Sequence, residues 1–539
     1  MATNIPVSPA PLKFPHYGLS HFGLYTSAWL QAFKHYKAVP FALISAAVLG
    51  PLFWQPVIHA GDLPSHVYNA WLTSLIQQGY APGLWIAHLR TNVAFDIALV
   101  WLLGRFPVGI AERIALSLVV LVFFWGAFSF VSVVNRRRPW FAVPLLGMLA
   151  YGWVFQIGFL NFYLSTGLSL FLLAIVWRGP LWSPIIALPL LVLAWLAHPI
   201  PVLWLLAVAA YVFMARQLSP KLQLFLLLAA LGVIVLLRQF LLTHYKAFWL
   251  WRQLLFITGA DQVWVFGREY LLLALLLVLL GAAVLLHQSG AWTPTVPGIA
   301  SQIYLLTAAS VFLLPEGILF PNEPQPGFTF IGDRMSLFSA VLACAVIGAA
   351  KPKRWHKVGF ALVAALYFCF LCVDAYAIGT IENRVEHLVS SLPPGHRVIA
   401  QPPLTLTHDY PEEHVTGRID NTMQEWIGRL PFLWRLRFDS LDGSRIGLDH
   451  MMDRVCVGRC FSYLDYEPMT EIFRVRALPG NPIALMDHAG WAAMANGTYI
   501  VKQADLPLDQ IYYCGPRSTD ICIRSLHQGE LNAPPRYTQ

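Results

Sequence analysis

Residues 112–138 read ERIALSLVVLVFFWGAFSFVSVVNRRR, with no charge between Arg113 and Arg136. The hydrocarbon core of a bilayer is about 30 Å thick and takes roughly 20 apolar residues as a helix. Residues 112–134 meet that length, and three arginines end the run. The same ruler picks out eleven spans: 39–58, 112–134, 139–155, 158–177, 183–198, 200–215, 222–237, 269–287, 299–314, 335–350 and 358–379. Composition agrees. Hydrophobic residues make up 57 % of the 539 residues, charged residues 12 %, and the mean hydropathy is +0.58. Soluble globular chains carry roughly 25 % charged residues. These figures exclude disorder, collagen and coiled coil, and they argue against a nucleic-acid binder. The expected class is an α-helical polytopic membrane protein of about eleven transmembrane helices.

Charge divides the chain. Residues 1–379 hold 21 Lys and Arg against nine Asp and Glu, a net +12, whereas residues 380–539 hold 15 against 19, a net −4. We therefore expect an N-terminal segment over 1–38, a membrane domain over 39–379 and a water-soluble domain over 380–539. The first apolar run begins after 38 residues and is too long for the core of a signal peptide, so an uncleaved anchor is expected. Turn residues and short runs such as HRVIAQ (396–401), EIFRVRAL (471–478) and GTYIVK (497–502) give the last part a mixed α/β character.

Positive residues concentrate in cytoplasmic loops. If NVAFDIALVWLLG (92–104) stays in the interface or re-enters, Arg136, Arg137, Arg138, Arg178, Arg216, Lys351, Lys353, Arg354 and Lys357 fall inside. All nine acidic residues of the membrane part then fall outside. If it spans, the arginine triplet moves out and each later loop changes sides. The first assignment puts the N-terminus in the cytoplasm and the C-terminal domain outside, in a multi-pass cell (inner) membrane. Four of the seven cysteines, Cys456, Cys460, Cys514 and Cys522, lie in that exported part. An even number in an oxidising compartment reads as two disulfides of undetermined connectivity. Zinc ligation by Cys456 and Cys460 is the alternative, although C-x7-C is not a zinc-ribbon spacing.

The outer loop 59–111 opens with HAGDLPSHVYNAWLTSLIQQG (59–79). Pro64 suits a first helical turn and Gly79 a helix end. Val67, Tyr68, Trp71, Leu72, Leu75 and Ile76 line one face, and His66, Asn69, Thr73 and Gln77 the other. A helix over 64–79 lying along the membrane surface is expected. Asp62 stands just before it and His66 one turn on, at the height of a lipid head group. Further along, loop 238–268 is basic and aromatic at once, with Arg238, Lys246, Arg252, Phe248, Trp249, Trp251 and Trp264. Such a loop suits a lipid phosphate, or a plain interfacial belt.

A first span, then Gly61-Asp62 opening a long outer loop with a surface helix and a second interfacial segment, resembles the GT-C superfamily. The short strings GFLNFYLSTGL (158–168), LAHP (196–199) and GDRMSLF (332–338), and a soluble domain after the last span, are similar too. Members are polytopic glycosyltransferases, mannosyl- and arabinosyltransferases among them, that use polyprenyl-phosphate-linked sugars. The resemblance implies that Asp62 is the catalytic base. It also implies that the partners are the lipid bilayer, a polyprenyl-phosphate-linked sugar donor, and a glycan, lipid or protein acceptor. Candidate substrate-binding residues are His66, Asn161, His198, Arg238, Arg252 and Arg334. The second acidic residue frequent in the family is absent, Leu63 taking its place. No clear metal set stands out, although Asp62, His66 and His198 would be the ones to converge, so no cofactor is expected.

Each residue also has a structural reading. Asp62 caps the helix, His198 bonds a helix end, Asn161 satisfies a turn, and Arg238 and Arg334 snorkel to lipid phosphates. Two other functions fit the same composition. One is a transporter or flippase of a lipid-linked intermediate, against which stand the lack of an internal repeat and charges collected at one edge. The other is a non-catalytic scaffold of the same architecture that binds lipid carriers. Sidedness is directly testable: a reporter that is active only outside the cytoplasm should be active when fused at residue 400. An inactive reporter there, with an active cytoplasmic one, reverses the assignment.

Overall fold

Backbone N–H and C=O groups that meet no water must bond within their own segment, and a helix does that completely. The computed structural model of the chain is accordingly mostly helical. It describes residues 38–80, 84–86, 90–178, 183–251, 253–288, 298–319, 327–328, 330–400, 448–460, 475–477, 508–513 and 521–525. Two compact units result, Met1–Gly50 and Pro51–Gln539. The described part of the first is the helix α1 (Ala38–Leu49).

The second unit begins with α2 (Leu63–Gln77), β1 (Leu84–Ile86) and α3 (Ala94–Leu103), within the segment expected to form the outer loop. There follow α4 (Val108–Asn135), the broken pair α5 (Val143–Ala150) and α6 (Trp153–Gln156), α7 (Leu160–Arg178), α8 (Ser183–Ala197), α9 (Pro199–Gln217) and α10 (Pro220–His244). Next come β2 (Lys246–Phe248), α11 (Gln253–Phe256), α12 (Arg268–Gln288), α13 (Ile299–Leu313), β3 (Gly317–Leu319), β4 (Gly327–Phe328), α14 (Ile331–Ala349) and α15 (Arg354–Ser390). The tail contributes β5 (Arg397–Ala400), α16 (Leu448–Cys456), β6 (Val475–Ala477), β7 (Leu508–Tyr513) and β8 (Ile521–Ser525).

Seven of these helices, α4, α7, α9, α10, α12, α14 and α15, are long and apolar enough to cross a membrane. All eleven expected spans fall on helices, but 39–58, 139–155, 183–198 and 299–314 fall on shorter apolar ones. A break at Tyr151–Gly152 splits 139–155, and Pro189 sits inside α8. The ambiguous 92–104 stretch forms α3, whose ten residues reach about 15 Å at 1.5 Å per residue, half a bilayer core.

Helices α4 and α7 form the most intimate pair, and small residues let them meet. A Cβ on Gly126 would lie 2.3 Å from the Gly167 carbonyl oxygen, and one on Gly167 would lie 2.7 Å from Phe123 Cα. Phe123 stacks on Tyr163 at 4.5 Å just beside that crossing. The described elements after residue 390 join the rest of the second unit. Strand β6 pairs antiparallel with β1, Trp85 opposite Arg476. Helix α16 packs on α2, α15 and β5. Strand β7 bonds β5 in parallel and β8 antiparallel, a small mixed sheet. Two expected strands, 396–401 and 471–478, contain β5 and β6, and 497–502 lies outside the described residues.

One buried ionic group fastens this arrangement. At 37 residues α15 reaches about 55 Å, so its charged last turns extend past its apolar stretch. There Glu382 meets Arg454 of α16 (Oε1 to Nε, 2.9 Å), while Glu112 from the start of α4 meets the same guanidinium (Oε2 to Nη2, 3.0 Å). Burial works against the Arg454 charge, but Glu112 and Glu382 outweigh it and hold the group above its ordinary value. Arg459 adds a bond to the Leu392 carbonyl (3.1 Å) and receives one from Gly395 N (2.8 Å). Cys456 and Cys460 form a disulfide between them, a pairing that spacing alone left open, and Cys522 is disulfide-bonded as well. Cys514 lies outside the described residues. Removing one partner of a buried ion pair costs about 3–5 kcal/mol because a charge is left uncompensated. Arg454→Met should therefore lower the thermal midpoint in detergent clearly, and adding Glu112→Gln and Glu382→Gln should restore most of it.

Candidate functional site

The site is organised by one turn, residues 156–161, between α6 and α7. The chain leaves the helix there, and the freed carbonyls need donors. Gly61 N donates to Gln156 O (2.8 Å) and Asp62 N to Ile157 O (3.1 Å). The two backbones touch so closely that neither crossing point admits a side chain. A Cβ on Gly61 would lie 2.3 Å from Ile157 O. One on Gly158, where φ is +86°, would lie 2.3 Å from Asp62 N. The head of the outer loop is thus pinned to the start of α7.

Asp62 occupies the N-cap position of α2 with αR backbone, and its side chain makes no capping bond. It is half-buried. Capping, the structural reading of this residue, is not what its carboxylate does. The helix runs Leu63–Gln77, with Gly79 at φ +80° beyond it, close to the expected 64–79. Its surroundings differ from expectation. His66, Asn69 and Thr73, on the face expected to meet water, are buried, as are Val67 and Leu72 opposite. Helices α3 and α16 pack against α2 and remove that face from solvent. The helix is buried from Leu63 to Thr73 apart from half-buried Ser65 and Trp71, while its last turn is half-buried and ends exposed at Gln77.

His66 sits one turn after Asp62, its backbone N bonded to Asp62 O (3.0 Å). Its Nδ1 meets Asp96 Oδ1 of α3 at 2.5 Å. Asn161 Nδ2 donates to the other oxygen of Asp96 (2.7 Å) and to Asn92 O (3.3 Å), while Asn161 Oδ1 accepts from Phe95 N (2.9 Å). Asp96 is wholly buried. The expected residues His66 and Asn161 are therefore joined through a third that the sequence reading passed over. The signal was available: a lone carboxylate amid FDIALV, since an ionisable group in an apolar segment marks a site by default.

Arg334 stands in the first turn of α14 and lies over the Phe159 ring, 3.7 Å from its centroid. That ring belongs to the turn that holds Asp62. Its own helix start is fixed by a polar knot. Gln262 Nε2 donates to Ser336 Oγ (2.6 Å) and Asp333 O (2.8 Å), Ser336 Oγ donates to Asp261 Oδ2 (2.7 Å), and Val154 N donates to Gln262 Oε1 (3.3 Å). Asp261 and Gln262 thus tie α14 to α6, and neither was singled out from sequence.

His198 caps α9, its Nδ1 accepting from Ile200 N (3.2 Å), and its ring lies against Phe162 at 5.3 Å. It is a helix-end hydrogen-bonder, as one reading expected, and it is also close enough to Arg334 to feel its charge. Asp62, His198 and Arg334 each meet a residue of 157–162, Asn161 belongs to that segment, and His66 reaches it through Asp96. Arg238 is not part of this group. It lies half-buried on α10, which packs chiefly on α13 and β2. Arg252 lies outside the described residues. The aromatic loop instead completes the β2–β3–β4 sheet, with Trp249 Nε1 bonded to Phe312 O (2.5 Å) and Trp251 exposed. Among the described residues no three of His, Cys, Asp and Glu gather as a metal set.

Comparison with protein families, with curated proteins and with solved structures found no match to this chain. Positive φ combined with a backbone clash leaves no room for relaxation at Gly158. Gly158→Ala should displace residues 61–62, lower the thermal midpoint in detergent and cost at least about 2 kcal/mol, whereas the same change at Gly79, with nothing near its Cβ position, should cost less.

Proposed function

We propose that the chain is a membrane glycosyltransferase that moves a sugar from a polyprenyl-phosphate carrier to an acceptor outside the cytoplasm. The reading is supported above all by one observation: a carboxylate without capping duty and a guanidinium are held by the same turn, Asp62 through Ile157 and Arg334 over Phe159. An inverting transfer asks for that pair of charges. Asp62 takes the acceptor hydroxyl proton while the hydroxyl oxygen attacks the anomeric carbon. The bond from that carbon to the phosphate oxygen breaks, its electron pair leaves with the polyprenyl phosphate, and Arg334 stabilises the anion as it forms. His66 and His198 are the candidates to hold the sugar and the acceptor, while Asn161, committed to Asp96, Asn92 and Phe95, braces the site. The apolar helices of the chain suit a donor that arrives through the lipid, and the partial exposure of Asp62 suits a hydrophilic acceptor. Sugar identity is left to the acceptor and donor screen, as hexosyl and pentosyl carriers ask the same chemistry of these residues.

The decisive experiment presents purified protein in lipid nanodiscs with radiolabelled polyprenyl-phosphate sugars and a membrane extract as acceptor. Wild type should transfer label, and Asp62→Asn, inserted and folded normally, should lose at least about 100-fold. Undiminished transfer by Asp62→Asn removes Asp62 as the base. Carrier movement across liposomes without any transfer favours a flippase, and carrier binding with neither activity favours a scaffold.

A further inference from the structure

Asp96 offers an independent clue to how the site handles protons, and the inference from it rests on the glycosyltransferase reading only for the identity of the substrate. An ionised carboxylate has no proton to give and can only accept. Its two oxygens are committed in different ways. Oδ2 is clamped by Asn161 Nδ2 at 2.7 Å, and the Asn161 amide is itself fixed, because its oxygen takes Phe95 N (2.9 Å) and its nitrogen also reaches Asn92 O (3.3 Å). Oδ1 is thereby aimed at His66 Nδ1, 2.5 Å away. Opposite a carboxylate oxygen that can only accept, that nitrogen has one role, to carry the proton. In the neutral ring the lone pair is then on Nε2.

We propose that Asp96 is a positioning residue, which sets His66 in the Nδ1–H tautomer so that Nε2 is the site's second proton acceptor, next to Asp62. The two residues are four apart on one helix, and positions i and i+4 lie side by side with about 5–6 Å between Cβ atoms. The proton that Asp62 draws from the acceptor hydroxyl passes to His66 Nε2. The imidazolium so formed is matched by the Asp96 carboxylate, Asp62 returns to its ionised form, and the proton leaves to water after the product. No redox partner enters, and the electron pair of the broken glycosyl–phosphate bond stays on the phosphate. A purely structural tie between α2, α3 and α7 has no need of the ionised form of Asp96. A neutral amide there, able to donate or accept, serves as well. The same reasoning explains why exchanging the orienting Asp for Asn in a Ser-His-Asp triad leaves geometry intact yet selects the wrong tautomer.

The first test needs no substrate. Protein labelled with 15N-histidine is placed in nanodiscs, and the His66 signals are assigned by their loss in His66→Gln. Wild type should show a protonated Nδ1 and an unprotonated Nε2, and Asp96→Asn should convert His66 wholly or partly to the Nε2–H form. A wild-type ring protonated on Nε2, or a tautomer unchanged in Asp96→Asn, overturns the proposal. The second test uses transfer from the radiolabelled polyprenyl-phosphate sugar. Asp96→Asn should lower kcat about 100-fold with KM within about twofold, in the range that proton transfer by a positioned side chain contributes. His66→Gln, which leaves the buried carboxylate in place, should give the same pattern should Asp96→Asn fail to fold. Unchanged kcat in both, or a rise in KM alone, overturns the proposal. The expected tautomer shift without any wild-type transfer keeps the Asp96–His66 couple and removes only the glycosyltransferase reading.

Discussion

Two backbone hydrogen bonds, Gly61 to Gln156 and Asp62 to Ile157, hold the rest of the arrangement in place. Where a chain interrupts its helices amid apolar surroundings, the exposed carbonyls must find donors from elsewhere in the protein. Residues 157–159, between α6 and α7, are such an interruption, and the amides of Gly61 and Asp62 supply donors there. This fixes where α2 begins, and so where Asp62 and His66 stand. It also sets Phe159 under Arg334 and Asn161 against Asp96. The close passage of Gly61 and Gly158 follows from the same requirement, since donor and acceptor strands can meet only where no Cβ intervenes.

Enclosure is the second theme. The segment 59–111 is tied into the protein: α3 supplies a carboxylate to α2, α16 packs on it as well, and β6 pairs with β1. The Glu112–Arg454–Glu382 group joins the first long helix, the last long helix and the tail. Buried charges of this kind are poor sources of net stability, but they are intolerant of alternatives, which makes them specifiers of register. The described elements of the tail therefore pack in the same unit as the candidate site.

Much of this was legible in the residues. Long uncharged runs announced the helices, and Pro64 with Gly79 marked the ends of α2 almost to the residue. Of the residues chosen for type and position, Asp62 and Arg334 meet the turn between α6 and α7, Asn161 and His198 meet the start of α7, and His66 is linked to them through Asp62 and Asp96. The omissions share a cause. Asp96, Asp261 and Gln262 owe their roles to partners 30 to 108 residues away. Their own neighbours in sequence give no sign of those partners. Arg238 lies inside α10, away from the group around Asp62, because the helix runs on past it to His244.

Periodicity and composition act locally, so the sequence by itself determined which segments are helical, that several can cross a bilayer, and which ends carry charge. Tertiary structure alone decided that the polar face of α2 is buried, that Asp96 meets His66, and that Cys456 pairs with Cys460. Each of these depends on which distant surface arrives to share a group's hydrogen bonds or bury its charge. That choice is made by packing over the whole chain, where every buried polar atom must be satisfied at once.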